Sequence, residues 1–324
     1  MKIDKKIAVS LYRHMLRVRM VEETIAKLYA EQEMRCPVHL CIGQEAIAVG
    51  VCACLSKEDY MVSNHRSHGH YLAKGGDLKA MFAEIYGKAT GCSRGKGGSM
   101  HLVDLSCNIV GTTPIVGGII PIAVGLAFGI TMKQEKSLSA VFFGDAATEE
   151  GVFFESLNFA SLKKLPVLFI CENNFFSVYS PLSVRQPKER SNVSIVRSLG
   201  IRTGAAHGND VAAVYESAKE AVMSIRAGKG PYYLEFDTYR WREHCGPNYD
   251  NDLGYRPESE FLEWRKRCPV DTCEKGLMKK GDIAGKQIEE FRQKIQNEID
   301  EAISFAKSSP FPKTETIFTD IYAE

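Results

Sequence analysis

Two short polar clusters, each at the end of an apolar stretch, are the residues of this sequence best suited to chemistry. The first is Gly144-Asp145, after the apolar run AVFF, and the second is Asn173-Asn174, after the run VLFICE. One helical stretch separates them, so strand, helix and strand form a single βαβ unit whose two strands run parallel. Both strand ends then lie on the same edge of the sheet, which is where open α/β sheets bind their ligands.

Oxygen donors at that edge suggest a site for a hard cation and an anion. An aspartate and an asparagine oxygen suit Mg²⁺, which usually keeps phosphate oxygens and water as its other ligands. The small residues Gly144, Ala146 and Ala147 allow backbone N–H groups to approach an anion, and the N-terminus of the following helix adds a favourable dipole. The alternative is a capping aspartate and a turn asparagine with no ligand. The spacing from Asp145 to Asn174 across one helix favours the ligand site.

The segments around these clusters alternate between strand and helix patterns. Hydrophobic periodicity predicts strands at 60–64, 139–145, 166–174, 201–205 and 231–241, and helices at 5–33, 43–55, 77–87, 118–132, 148–164, 192–199 and 210–228. The histidine-rich segment 65–71 is predicted to be a turn, and the charged tail 258–307 to be helical. This order predicts an α/β fold, a mostly parallel sheet with helices on both faces. We expect a single domain over residues 1–324, with helical additions at 1–55 and 258–324.

Composition excludes several classes of protein. The 324 residues carry a formal net charge of +1, which gives no electrostatic basis for binding nucleic acid. The ten cysteines include no CxxC motif, and the N-terminus lacks a signal-peptide core, so reduced thiols in the cytoplasm are expected. The uncharged run 115–132 approaches the length of a membrane span, but its glycines and proline favour a buried helix instead. Gly125 and Gly129 in this run would let a second helix approach closely.

Several segments together resemble one enzyme family. GDAATEEG followed by CENNFF is similar to the thiamine-diphosphate motif, in which GDG is followed by a pair of asparagines. The segments LCIGQEA, HRSHGHYLAKG, GCSRGKGGSMHL, LNFASLKKLPVLFICENN and TYRWREH, with DIYAE at the C-terminus, resemble the alpha subunits of two-oxo-acid dehydrogenase E1 components. Pyruvate and acetoin dehydrogenase alpha subunits are the nearest types. The resemblance covers roughly residues 11 to 245 and implies the thiamine-diphosphate-binding fold.

The resemblance assigns cofactor roles to particular residues. It implies that Mg²⁺ is bound by the side chains of Asp145 and Asn174 and by the main-chain carbonyl of Phe176. Arg66 would pair with a diphosphate oxygen, a charge-assisted contact suited to a guanidinium. Val116 would lie against the aminopyrimidine. The remaining residues implied to contact thiamine diphosphate are His65, Gly144, Ala146, Ala147 and His244.

Histidines carry the catalytic roles that the resemblance implies. His39 and His244 would reach the thiazolium side of the cofactor, hydrogen-bond the substrate carbonyl and assist proton transfers, which suit an imidazole of near-neutral pKa. His101 is expected to line the same entrance with its glycine-rich loop. His68 and His70 have two open interpretations: support for Arg66 or the loop, or positions in a surface turn.

The resemblance also implies a reaction and partners. The expected activity is oxidative decarboxylation of a 2-oxo acid, or cleavage of an acetoin-like ketone, with acyl transfer to lipoamide on a lipoyl-bearing E2 acyltransferase. The glutamate that activates the cofactor would come from an E1 beta-type subunit, so the chain would be inactive alone and would form an α2β2 heterotetramer. Nucleic acid and membrane are not expected as partners.

Departures from the family pattern keep two alternatives open. Ala146 stands where the motif usually has glycine, and a requirement for positive φ there would make alanine unfavourable. A degenerate, partner-binding subunit is therefore one alternative. The loop 245–256 is acidic and rich in asparagine, and Glu243 replaces an expected glycine. That loop predicts a more polar substrate or acceptor, and it keeps open a non-redox enzyme of the transketolase or synthase type.

Overall fold

Six parallel strands form the centre of the molecule in the computed structural model, which describes residues 3–319. The C-terminal DIYAE segment, residues 320–324, lies outside the described residues. The strands are β1 (Tyr60–Ser63), β2 (Ile109–Thr112), β3 (Ser139–Gly144), β4 (Val167–Asn173), β7 (Arg202–His207) and β8 (Tyr232–Asp237), with a small separate hairpin of β5 (Phe176–Ser177) and β6 (Ser180–Pro181). The order across the sheet is β2-β1-β3-β4-β8-β7, and every neighbouring pair is parallel.

Helices cover both faces of this sheet, as predicted. They are α1 (Lys5–Leu28), α2 (Glu45–Cys52), α3 (His68–Lys74), α4 (Leu78–Ile85), α5 (Ile119–Lys133), α6 (Gly151–Leu162), α7 (Leu182–Arg185), α8 (Asn192–Ser198), α9 (Val211–Arg226), α10 (Glu258–Arg265), α11 (Pro269–Lys280) and α12 (Gly285–Ser308). The α/β class, with a parallel sheet between two helical layers, is confirmed.

The central strands bury both of their faces. Along β3, Ala140 and Phe142 join the core formed with α1, α2, α4, α9 and α12, whereas Val141 and Phe143 join the core formed with α5, α6 and α8. Because successive side chains of a strand point to opposite faces, a strand buried on both sides reads as a continuous apolar run. The run AVFF therefore fixes the central position of β3.

The predicted terminal additions pack on one side of the sheet. Helix α1 packs against α11 and α12, and α12 also packs along α4. Ile295 and Ile299 of α12 and Leu11 of α1 are buried in the same core as Phe142. The two ends of the chain therefore stabilise the face of the sheet opposite α5 and α6.

The elements that differ most from the sequence prediction lie beside the proposed site, and several other bounds differ by two to five residues. Segment 68–74 is helix rather than turn, and it ends at Gly75, whose φ of 104° suits a helix C-terminus. Strand β2 was not predicted, because four residues after a glycine-rich loop carry little periodicity. Strand β8 ends at Asp237 rather than 241. Helix α6 begins at Gly151 rather than 148, because residues 145–149 form a 3₁₀ turn.

Helix α5 is buried on one side only, not throughout as predicted. Ala123, Ala127 and Ile130 pack against the sheet, whereas Ile122 and Phe128 are exposed on the other side. Across residues 3–319, the helices are too short or too polar to cross a lipid bilayer.

Candidate active site

The eleven residues predicted to form the site line a single cleft, whose empty volume is about 910 Å³. The cleft opens at the carboxyl ends of strands β1 to β4, where the chain leaves the sheet. The predicted residues in its wall are His39, His65, Arg66, Val116, Gly144, Asp145, Ala146, Ala147, Asn174, Phe176 and His244. Their individual roles remain predictions, but the sheet brings them together.

The position of Asp145 follows from the register of the two central strands. Gly144 pairs with Glu172 across β3 and β4, so the residues that follow each strand emerge side by side. Ala146 lies in the 3₁₀ turn and is absent from the described residues with positive φ. The alanine is therefore compatible with the backbone at this position.

Asp145 is a buried carboxylate with a cationic neighbour. Its side chain is almost fully buried, and Arg185 forms an ion pair with its Oδ2 atom. Burial raises the pKa of Asp145 above its ordinary value, while the contact with Arg185 acts in the opposite direction. A carboxylate in this setting is stabilised by a further positive charge, and a divalent cation supplies one.

The loop after β4 offers two more oxygen donors. Asn174 Oδ1 accepts a hydrogen bond from the Phe176 N–H at 3.1 Å, which fixes the amide at the cleft. Leu182 N–H donates to the Phe175 carbonyl at 3.0 Å, so Phe176 occupies the non-hydrogen-bonded position of the hairpin and its carbonyl is not engaged by β6. One carboxylate, one amide and one free carbonyl are hard oxygen donors, and they fit Mg²⁺ with a diphosphate.

Arg66 places a positive charge in the cleft and also ties its walls together. Its Nη1 donates to the Leu40 carbonyl at 2.8 Å and its Nη2 to the His244 carbonyl at 3.1 Å. Burial, reinforced by the nearby charge of Arg240, lowers the pKa of Arg66 to about 10, so the group stays protonated at neutral pH. An anion in the cleft would meet an arginine that is already oriented.

Three histidines meet at the other end of the cleft. The ring centroid of His39 lies 4.7 Å from that of His65 and 5.1 Å from that of His244, and the last two are 5.3 Å apart. Burial, followed by the charge of Arg66, lowers the pKa of His39 to about 2 and those of His65 and His244 to about 3. All three rings are therefore neutral at physiological pH.

Neutral imidazoles can donate or accept hydrogen bonds, but the low pKa values differ from the near-neutral pKa expected of a proton-transferring histidine. One nitrogen from each ring lies within 4.8 Å of the others, a spacing that could also hold a transition metal. The charge of Arg66 opposes a cation at this end, so the arrangement favours a polar, uncharged or anionic ligand.

The sequence prediction missed five polar residues of the cleft wall: Gln44, Asn64, Thr113, Glu172 and Ser177. Glu172 is buried and accepts from His70 Nε2 at 3.1 Å, and the other ring nitrogen of His70 bonds to Ser63 at 2.8 Å. Glu172 belongs to the ENN motif and Asn64 directly follows β1, so their positions at strand ends could have identified both.

Two predicted neighbours of the site are elsewhere. His101 is exposed and lies outside the lining of the cleft, so its predicted place at the entrance is wrong. The glycine-rich loop before it is held by the buried carboxylate of Glu84.

His68 bonds to Glu22 at 2.6 Å and to Ser99 at 2.7 Å, which ties α1 to that loop without reaching Arg66. The surface-turn interpretation of His68 and His70 is also wrong, because both are buried.

The loop after His244 buries an acidic residue that the sequence suggested would face a substrate. Asp250 forms ion pairs with Arg240 and Arg256 and accepts a hydrogen bond from the Tyr255 hydroxyl. Asp250, Arg240 and Arg256 are buried, so this carboxylate organises the loop. Gly246 N–H donates to the Val38 carbonyl at 2.8 Å, which holds the loop beside the segment carrying His39.

Comparison with known proteins gives a consistent family. The family model of the dehydrogenase E1 component matches residues 12–315. The chain is 37% identical to the alpha subunit of an acetoin:2,6-dichlorophenolindophenol oxidoreductase of Bacillus subtilis (strain 168), over 99% of this chain and 95% of the relative. It is 34% identical to pyruvate dehydrogenase E1 component alpha subunits of Rickettsia bellii (strain RML369-C) and Rhizobium meliloti (strain 1021). These cover 98% and 99% of this chain, and 96% and 91% of the respective relatives.

Proposed function

Because the chain belongs to the dehydrogenase E1 component family, we propose that it is the alpha subunit of a thiamine-diphosphate-dependent enzyme. The proposed reaction is oxidative decarboxylation of a 2-oxo acid or cleavage of an acetoin-like ketone. The observation that carries the proposal is the cleft itself, in which hard oxygen donors at the strand edge face three neutral imidazoles.

The cofactor half of the cleft is assigned to particular atoms. Asp145, Asn174 and the Phe176 carbonyl would hold Mg²⁺, and Arg66 with the backbone around Ala146 would hold the diphosphate. Bound thiamine diphosphate supplies the carbanion nucleophile that these reactions require. The chain's own residues would hold thiamine diphosphate in the cleft beside the histidines.

The substrate half of the cleft is assigned to His39 and His244. Since these rings are neutral, each can donate a hydrogen bond from its N–H group to a substrate carbonyl, whereas their low pKa values make them weak proton acceptors at neutral pH. His39 and His244 would act on the substrate, and His65 would support the diphosphate end beside Arg66. Transfer of the acyl group to lipoamide on an E2 acyltransferase completes the proposed reaction.

An E1 beta-type subunit is the proposed partner, in an α2β2 assembly. Val116, proposed to lie against the aminopyrimidine, is 48% exposed at the mouth of the cleft, so a second chain has room to complete the site. The apolar outer face of α5 supports the same proposal. Among residues 3–319, apart from the backbone of α5 itself, no atom lies within 4 Å of the position that a Cβ would take at Gly125 or Gly129, so packing within these residues requires neither glycine.

The two alternatives differ in how the structure bears on them. A degenerate subunit was suggested by Ala146, and its backbone conformation removes that reason. A transketolase or synthase type of enzyme would use the same cofactor half and would transfer no electrons.

We propose the cytoplasm as the location, which the unpaired state of the cysteines in residues 3–319 supports.

The test is to express the full chain with the beta-type subunit encoded beside it and to assay a panel of 2-oxo acids and acetoin. Reduction of 2,6-dichlorophenolindophenol that depends on both thiamine diphosphate and Mg²⁺ is the expected result. Carbon–carbon bond formation without dye reduction would favour the transketolase type, and binding of the partner without turnover would favour the degenerate subunit.

A further inference from the structure

Arg185 is the residue outside the cleft that the structure connects most directly to the proposed metal site. Its guanidinium forms ion pairs with two carboxylates, through Nη2 to Asp145 Oδ2 and through Nη1 to Glu149 Oε1. Only 10% of the Arg185 side chain is exposed. Two charge-assisted contacts from one planar group define its orientation as well as its position.

The guanidinium contacts Asp145 from outside the lining of the cleft. Asp145 lines the cleft, whereas Arg185 and Glu149 are not among its lining residues. Arg185 contacts the Oδ2 atom of Asp145, and we assign the second carboxylate oxygen to the metal. The arrangement fits a support for a metal ligand.

Arg185 is itself held without help from a metal. Its Nε donates to the Ser180 carbonyl at 3.1 Å, and Gln186 Nε2 donates to Glu149 Oε1 at 2.7 Å, which fixes the second carboxylate. The segment that carries Arg185 also carries Phe176, whose carbonyl is a proposed ligand. One loop therefore provides both a ligand and the support for another ligand.

We propose that Arg185 is a positioning residue for the divalent metal, acting by orienting the carboxylate of Asp145. The inference rests on the proposed function, since it concerns the Mg²⁺ of that cleft. Partners behind a metal ligand fix its orientation, and their loss typically reduces metal affinity by about 10- to 100-fold. Without Arg185, Asp145 would be a buried carboxylate that is free to rotate away from the cleft.

The test measures Mg²⁺ affinity of the complex with its beta-type subunit by calorimetry, with thiamine diphosphate at a saturating concentration. Arg185→Gln is expected to weaken Mg²⁺ binding at least tenfold, and Arg185→Lys, which retains the charge but not the fork, by less. Arg190→Gln is the matched control, because Arg190 lies in the same loop but donates to the Thr148 carbonyl at 2.5 Å and to Asn192 at 3.1 Å instead. It is expected to stay within threefold of the wild type.

The outcomes separate this inference from the proposed function. Failure of the wild-type complex to bind thiamine diphosphate with Mg²⁺ would remove the proposed function. If the wild type binds and Arg185→Gln binds Mg²⁺ equally well, the positioning role is wrong, and tighter binding would mean that Arg185 competes with the metal. Equal losses in Arg185→Gln and Arg190→Gln would assign the effect to the loop as a whole and also overturn the inference. If Arg185→Gln does not fold, Arg185→Lys serves as the test. Unchanged Mg²⁺ affinity in Arg185→Lys would show that the two-pronged contact of the guanidinium with Asp145 and Glu149 is not needed.

Discussion

Asp145 illustrates how one residue can be both costly to the fold and necessary to the site. A buried carboxylate loses hydration, and a single arginine contact offsets only part of that loss. A divalent cation and its phosphate ligands would complete the compensation. The folded chain therefore retains at this strand end a charge whose full stabilisation comes from a ligand.

Asp145→Ala is expected to abolish Mg²⁺-dependent binding of thiamine diphosphate, because the only carboxylate among the proposed metal ligands is lost. Calorimetry of the complex with its beta-type subunit measures the effect. Glu189→Ala, which removes an exposed acid from the neighbouring loop, is the matched control and should bind as the wild type does. Unchanged affinity in Asp145→Ala would exclude the proposed metal site.

The three histidines predict a dependence of stability on pH. Their folded-state pKa values of about 2 and 3 lie below the ordinary value of about 6.5 expected in the unfolded chain. Between these values the unfolded chain binds protons that the folded chain does not. The free energy of unfolding therefore falls as the pH drops below about 6.5, by at most about 1.4 kcal/mol per pH unit for each histidine.

Urea denaturation at pH 7 and at pH 5.5 checks this expectation. His65→Gln should lose less stability than the wild type between the two pH values, since one of the three buried rings no longer titrates. His207→Gln, a change of an exposed ring that contacts Asp237, serves as the control and should follow the wild type. The same pH dependence in His65→Gln and the wild type would contradict the low pKa of His65.

The sequence pattern placed the proposed metal ligands together, and it missed Arg185, which reaches them from a later part of the chain. Asp145 and Asn174 could be placed together because a parallel βαβ unit brings its strand ends to one edge. Arg185 could not be placed, because its contact with Asp145 depends on how the loop after β4 returns across the sheet. Arg66 was assigned to the cofactor, but its bonds to the Leu40 and His244 carbonyls also needed the tertiary structure.

At the scale of single elements, helix α3 shows why its polar residues led to the wrong prediction of a turn. Histidines, arginine and glycine in segment 65–71 are typical of a turn, yet His68 and His70 are buried in a helix. Their partners, Glu22 and Glu172, come from α1 and β4, far away in the sequence. A buried polar helix is stable where such partners satisfy its side chains, and no local pattern reveals them.

The glycine-rich loop before His101 depends on one carboxylate in α4. Glu84 accepts four backbone hydrogen bonds, from Ser93, Gly95 and Gly97 at 2.8 Å and from Gly98 at 2.9 Å. Gly95 and Gly98 have positive φ values of 75° and 62°, so the loop needs glycine to direct its N–H groups inward. The glycines that suggested a ligand loop instead enclose a side chain of the protein itself.

Glu84→Gln is expected to destabilise the chain by about 2–4 kcal/mol, because one amide cannot accept four N–H donors and its own NH₂ group would face two of them. Urea denaturation of the chain measures the loss, and amide hydrogen exchange should show faster exchange in the loop. Glu289→Gln on the exposed surface of α12 is the control. A loss below about 0.5 kcal/mol, the range of ordinary surface changes, would show that the carboxylate is not required.

At the scale of the whole molecule, the two sides of the sheet have different outer surfaces. The side with α1, α11 and α12 is covered by both ends of the chain, whereas α5 on the other side presents Ile122, Phe128 and Met132 to solvent. Exposed apolar surface of this kind is typical of an interaction site. The sequence predicted close packing of a second helix at Gly125 and Gly129, and the face of α5 that carries Ile122 and Phe128 is open in the described residues.

Gly125→Leu is expected to leave the fold of the chain intact and to weaken association with the beta-type subunit at least tenfold. Among residues 3–319, a Cβ at position 125 meets no atom within 4 Å apart from the backbone of its own helix, and leucine favours the helix by about 0.8 kcal/mol over glycine. Thermal unfolding of the chain alone should therefore show no loss, whereas light scattering after size-exclusion chromatography should show smaller assemblies. Gly276→Leu in α11 is the matched control, because a Cβ there also meets no atom within 4 Å. If Gly125→Leu assembles as the wild type does, the partner must bind another face, and the open mouth of the cleft beside Val116 becomes the surface to test.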